Sequence, residues 1–151
     1  MALTLRLAQV TDLPSIYLGE QDYIRTWEHA HEAAWQNDLH RHLTRWVAHF
    51  ERLTVALINE QFAGYSLWAP TEHQAELCTI NVSPRYRRSG IGRALLARYS
   101  ADAAQSGFSR LVLSVREDNP ARLMYEQSGF ACTGTDRHGY LRFEKAIPAQ
   151  V

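Results

Sequence analysis

The chain has 151 residues, 46% of them hydrophobic and 21% charged, with 16 basic against 16 acidic residues and a pI near 7.1. That size and balance suit one globular domain with a substantial core, expected to span residues 1–151. They exclude a disordered, fibrous or low-complexity chain, and zero net charge offers no extended basic face to nucleic acid. The first residues, MALTLRLAQV, have no charged segment followed by a long apolar block, and no run approaches a membrane span, so a cytoplasmic protein with no membrane partner is expected. Cys78 and Cys132 lie far apart without metal or redox spacing and read as small core residues in a reducing compartment.

In chain order, LTLRLA alternates as a half-buried strand does, and Thr11 or Asp12 can cap a helix starting near Leu13. From Trp27 to Leu53 the apolar residues Leu39, Leu43, Trp46, Val47 and Phe50 follow helical spacing, predicting a second helix with one face inward. TVALI and FAGYSLWA, joined by Asn59, Glu60 and Gln61, read as a hairpin, and Glu76 to Val82 as the next strand. A third helix starts at Ser89 or Gly90 and runs to about Gln105, stopped by Ser106 and Gly107. Arg110 to Val115 is a buried strand, and a right-handed crossover makes it parallel to, and beside, Glu76 to Val82. Asn119 can cap a short helix carrying Pro120 and ended by Gly129, before closing strands at Phe130 to Thr135 and Tyr140 to Lys145.

The run RRSGIGRALL at positions 87 to 96 places arginines and two glycines where a helix opens. The first backbone N–H groups of a helix have no intrahelical partner and sit at the positive end of its dipole, which favours phosphate. Gly90 and Gly92 permit close approach, and Arg87, Arg88 and Arg93 add charged donors. The triphosphate loop with its Gly-Lys-Ser/Thr ending is absent. The dinucleotide fingerprint fails because Leu95 stands where a small residue is required. Arg87, Gly90 and Gly92 do match Arg-x-x-Gly-x-Gly between the strand ELCTINV and the helix RALLARYSADAA, and REDNPARLMYEQSGF supplies Asn119 and Tyr125 in order. Over roughly residues 75 to 131 the chain resembles the GCN5-related N-acetyltransferase (GNAT) family.

The resemblance implies an α/β (α+β) fold with a mixed, mostly antiparallel sheet of about seven strands, a splayed parallel pair, and about four helices. It implies acetyl-CoA as co-substrate, no metal, and direct transfer of the acetyl group to a primary amine of a small molecule or a protein or peptide. The cofactor would be held by Arg87, Arg88, Ser89, Gly90, Ile91, Gly92 and Arg93, with Asn119 at the pantetheine arm. Arg85 and Arg88 would line the same loop or meet the 3'-phosphate, a solvated charge being the alternative for each. A strand bulge would free the Ile80 or Val82 amide to stabilise the carbonyl oxygen.

A lysine-like amine has a pKa of about 10.4, so transfer needs a proton acceptor, and Glu76 matches the family's glutamate position. Tyr125 matches the tyrosine that protonates the departing thiolate. A strand-edge role for Glu76 with water as base, and a packing role for Tyr125, are the alternatives. Tyr23, Trp27, Trp35, Glu28 and Glu32 fall where the family builds its acceptor pocket, and core or surface packing is the commoner fate for each. His31-Glu32-Ala33-Ala34-Trp35 misses the zinc-protease string because Trp35 replaces its second histidine. Pairing into a homodimer is a family habit. The rival from another class is a catalytically silent acetyl-CoA sensor or regulatory module, a fold that keeps its ligand without its chemistry.

Overall fold

The computed structural model describes residues 2–148. Among the described residues, seven strands form one sheet: β1 (Leu3–Leu7), β2 (Leu53–Ile58), β3 (Gln61–Thr71), β4 (Gln74–Val82), β5 (Arg110–Arg116), β6 (Ala131–Thr135) and β7 (Tyr140–Ala146). Their order across the sheet is β1-β2-β3-β4-β5-β7-β6, and every neighbouring pair is antiparallel except β4–β5. Asn59 and Glu60, with φ of 50° and 69°, make the two-residue turn between β2 and β3. Glu72 and His73 repeat that geometry between β3 and β4.

Five α-helices among the described residues accompany the sheet: α1 (Leu13–Trp27), α2 (Glu32–Asn37), α3 (Leu39–Ala48), α4 (Ile91–Gln105) and α5 (Ala121–Gln127). The expected second helix is therefore not continuous. A 3₁₀ turn at His29–His31 precedes α2, Asp38 breaks the chain between α2 and α3, and another 3₁₀ turn covers Phe50–Arg52. The break rotates the predicted apolar stripe, so Trp46 is buried and Leu43 and Phe50 pack inward while Leu39 and Val47 stay exposed. Cys132 also departs from expectation: it lies on the exposed strand β6, and Cys78 is only half-buried.

Successive strand residues face opposite sides, and the core divides accordingly. Val55, Tyr65 and Leu67 pack with Ile16 of α1 and Trp46 of α3, whereas Ala56 and Ile58 pack with Ile91 and Leu95 of α4. The sheet is thus covered on both faces. A third cluster joins Leu96 and Tyr99 of α4, Tyr125 of α5, and Leu111, Leu113 and Phe143 of the sheet.

The β4–β5 pair positions the site. Its ladder holds only Ala75↔Leu111 and Glu76↔Val112, yet β4 stays paired with β3 to Val82 and β5 stays paired with β7 to Arg116. The two strands therefore part beyond Glu76 and Val112 and leave a gap in the middle of the sheet. Tyr99, 1% exposed, fastens the point of parting: its hydroxyl donates to the Ala75 carbonyl at 2.6 Å and lies 3.4 Å from that of Val112.

Candidate active site

On the β4 side of the gap, the register with β3 steps from Leu67↔Thr79 to Trp68↔Leu77, so Cys78 is the extra residue of a bulge. Past it, the Ser83 amide donates to Ala63 of β3 at 2.8 Å. Antiparallel alternation then directs the Asn81 and Thr79 amides toward β3 and those of Val82 and Ile80 into the gap. The Val82 carbonyl follows the same rule, since it accepts from Arg87 Nε at 3.0 Å outside the ladder.

Below these amides a cleft of about 350 Å³ is lined by Ile80, Val82, Arg87, Arg88, and Gly90 through Arg93. Gly90 precedes α4 with φ 85°, a left-handed conformation that costs a glycine nothing. Among the described residues no side chain caps α4, and its first backbone acceptor, the Gly90 carbonyl, is reached by the Ala94 amide at 3.1 Å. The amides of Ile91, Gly92 and Arg93 are thus left for a ligand. The Ile91 side chain, 1% exposed, anchors this turn in the core. A Cβ on Gly92 would stand 2.9 Å from Met124 Sδ, so its bareness lets α4 and α5 meet beside the cleft.

The arginines divide their work. Arg87 braces the loop against β4 and lies 3.5 Å from Asp22 of α1, Arg93 reaches Gln127 at the end of α5, and Arg85 stacks over Tyr86. Arg88 has no hydrogen bond or ion pair among the described residues and holds a left-handed φ of 63°. The Ser89 hydroxyl turns back to the Tyr86 carbonyl. Of the predicted phosphate ligands, Arg88 and the three helix-start amides are the groups left uncommitted.

The cleft runs into a second cavity of about 180 Å³, and the two share Tyr23, Ile80, Asn119 and Ala121. Asn119 is 5% exposed, and its Oδ1 accepts the Ala121 amide at 2.9 Å, which caps α5 and fixes the helix carrying Tyr125. Tyr125 lines the second cavity; its ring packs edge-on to Phe130 and at a tilt to Phe143, and its hydroxyl has no partner among the described residues. Burial, reinforced by the nearby Tyr23 hydroxyl, raises its pKa well above the ordinary phenol value. Tyr125 therefore stays protonated at neutral pH.

Glu76 is not brought to Tyr125. It occupies the last β4–β5 rung, before the strands part, and does not line either cavity. The carboxylate on the wall of the second cavity is Glu20 of α1. The sequence held a signal for it: Ile16, Glu20, Tyr23, Ile24 and Trp27 share one helical face, so Glu20 is a charge on an otherwise apolar stripe. Tyr23 and Trp35 line this cavity and Trp27 the cleft. Glu28 is instead held by the Tyr140 hydroxyl, 2.6 Å from its Oε2, with Arg116 3.9 Å away, and Glu32 pairs with Arg25 at 2.6 Å.

A helix start with three free amides, a pair of strand amides facing the gap and a phenol hydroxyl thus converge where a parallel strand pair splays, an arrangement suited to acyl transfer. The model of the Acetyltransferase (GNAT) family matches residues 16–130, and the chain belongs to that family. It is 31% identical over 134 residues to the [ribosomal protein bS18]-alanine N-acetyltransferase of Escherichia coli K12, covering 84% of this chain and 80% of that one. The enzyme of the same name from Haemophilus influenzae is 35% identical over 72 residues, about half of each chain (48% and 49%). Among solved structures, the PaiA N-acetyltransferase of Thermoplasma acidophilum in complex with coenzyme A superposes with a TM-score of 0.78 at 19% identity, over 97% of this chain and 100% of that one.

Proposed function

We propose that this protein moves the acetyl group of acetyl-CoA directly onto a primary amine, and that its acceptor is the N-terminal α-amine of a protein or peptide. The observation that carries the transfer reading is the gap between β4 and β5, with unpaired amides on one wall and the Tyr125 hydroxyl beyond it. The acceptor class is supported by the relatives named above, whose acceptor is the alanine of a ribosomal protein.

In this reading the diphosphate of acetyl-CoA lies on the amides of Ile91 to Arg93 with Arg88 beside it, and the pantetheine arm runs past Ile80 and Val82. Their gap-facing amides receive the thioester oxygen as it gains charge, a contribution of about 10²–10³ in rate for a single well-placed donor. The amine nitrogen attacks the carbonyl carbon, the C–S bond breaks, and Tyr125 gives the thiolate its proton. The cavity that raises the tyrosine's pKa also raises the proton affinity of a thiolate held there, because both anions lose hydration.

The test is acceptor-dependent release of coenzyme A with short peptides bearing a free or blocked N-terminus, and with small amines, followed by mass-spectrometric location of the acetyl group. Acetylation confined to free N-termini is expected. Turnover with small amines alone overturns the acceptor class, and tight coenzyme binding without any transfer overturns the catalytic reading in favour of a silent sensor.

A further inference from the structure

We propose that Glu20 of α1, in place of Glu76, is the carboxylate that accepts the acceptor amine's proton. This rests on the acetyl-transfer reading above and names a residue within the same site.

The geometry begins one residue earlier, at Gly19. The Asn81 side chain donates to the Gly19 carbonyl at 3.1 Å, and a Cβ on Gly19 would stand 2.6 Å from Tyr65 Cε1 and 2.9 Å from Asn81 Nδ2. The bare backbone therefore lets α1 lie directly on β3 and β4 at the level of the bulge. That contact sets the Glu20 carboxylate against the Tyr65 hydroxyl at 3.0 Å and the Thr79 hydroxyl at 3.1 Å. Both donors converge on Oε2. Oε1 has no partner among the described residues, and Glu20 lines the cavity that Tyr125 and Ile80 also line. One oxygen orients the group and the other is left to take a proton.

The charged and titratable neighbours are Tyr65 from β3, Cys78 from β4, Tyr23 on α1 itself and Arg45 from α3. Burial lifts the Glu20 pKa above the ordinary carboxylate value, while the bonds from Tyr65 and Thr79 and the charge of Arg45 hold part of that rise back. A carboxylate lifted this way is a stronger base at neutral pH. The other nearby carboxylates are spoken for: Glu28 by Tyr140, Glu32 by Arg25, and Glu76 by its place outside the cavity.

The proton balance follows. An ammonium acceptor gives its first proton to Glu20, which returns it to solvent. The neutral nitrogen forms the C–N bond, the C–S electron pair leaves on sulfur, and Tyr125 protonates that sulfur. The second proton, shed by the nitrogen as the intermediate collapses, restores Tyr125.

The experiment measures kcat/KM against pH for wild type, E20Q, E76Q and Y65F, with acetyl-CoA affinity by calorimetry. Glutamine keeps an oxygen for Tyr65 and Thr79, so E20Q should bind acetyl-CoA normally, lose about 10²-fold or more in kcat, and lack the acidic limb. Y65F should keep the limb but move it to higher pH, because a lost hydrogen bond to the carboxylate raises its pKa. E76Q should keep the wild-type profile. An active wild type with E20Q unchanged, a limb unmoved in Y65F, or a limb lost in E76Q overturns the assignment. A wild type inert toward every amine overturns the transfer reading itself.

Discussion

Tyr125 carries one polar atom, and the fold spends the rest of the residue on packing. Because its hydroxyl is unpartnered among the described residues and its ring is wedged against Phe130 and Phe143, Tyr125→Phe removes the proposed proton donor without breaking a bond or opening a void. We expect kcat to fall about 10²-fold with the acetyl-CoA dissociation constant and melting temperature nearly unchanged. Stopped-time transfer assays beside calorimetry decide it, and an undiminished kcat removes Tyr125 from the chemistry. Tyr125 and Asn119 were legible in the sequence because six residues of one helix start fix their relation. Glu20 showed only as a charge on an apolar stripe, and its setting was not legible, since its two donors lie 45 and 59 residues away and meet it only after Gly19 and the bulge have brought α1 onto the sheet.

At the scale of elements, the start of α4 is the proposed seat of the diphosphate. Gly90 holds φ 85°, and a Cβ there would touch nothing within 4 Å, so Gly90→Ala tests the backbone alone. The left-handed penalty predicts a loss of about 1–2 kcal/mol in stability by urea unfolding, together with weaker acetyl-CoA binding if the helix start relaxes to escape it. Unchanged stability and affinity would mean that the turn does not hold the amides in place. The hairpin and the glycine stops of α4 and α5 were readable, because each is set by residues adjacent in sequence. The broken second helix was not: the apolar spacing from Leu39 to Phe50 runs on, but Asp38 and the 3₁₀ turns rotate the segment, exposing Leu39 and Val47. Likewise the bulge at Cys78 depends on pairing with β3 that ELCTINV alone does not encode.

Over the whole molecule, helices cover both faces of an open sheet whose neighbouring strands stay paired except where β4 and β5 part. The opening gives two approaches to one point, a cleft from the phosphate loop and a cavity walled by Tyr23, Trp35 and Glu20, and they meet at Ile80 and Asn119. The parallel β4–β5 pair followed from the crossover rule, whereas the order of the outer strands and the extent of the gap are properties of the finished sheet, in which Tyr99 ends one ladder while its neighbours continue. The most direct measurement is a crystal structure of the protein with acetyl-CoA bound. The expected arrangement has the diphosphate on the amides of residues 91 to 93, the thioester oxygen about 2.7–3.2 Å from the Ile80 or Val82 nitrogen, and the sulfur within reach of the Tyr125 hydroxyl. A thioester lying outside the β4–β5 gap, or a diphosphate bound away from the start of α4, would contradict it.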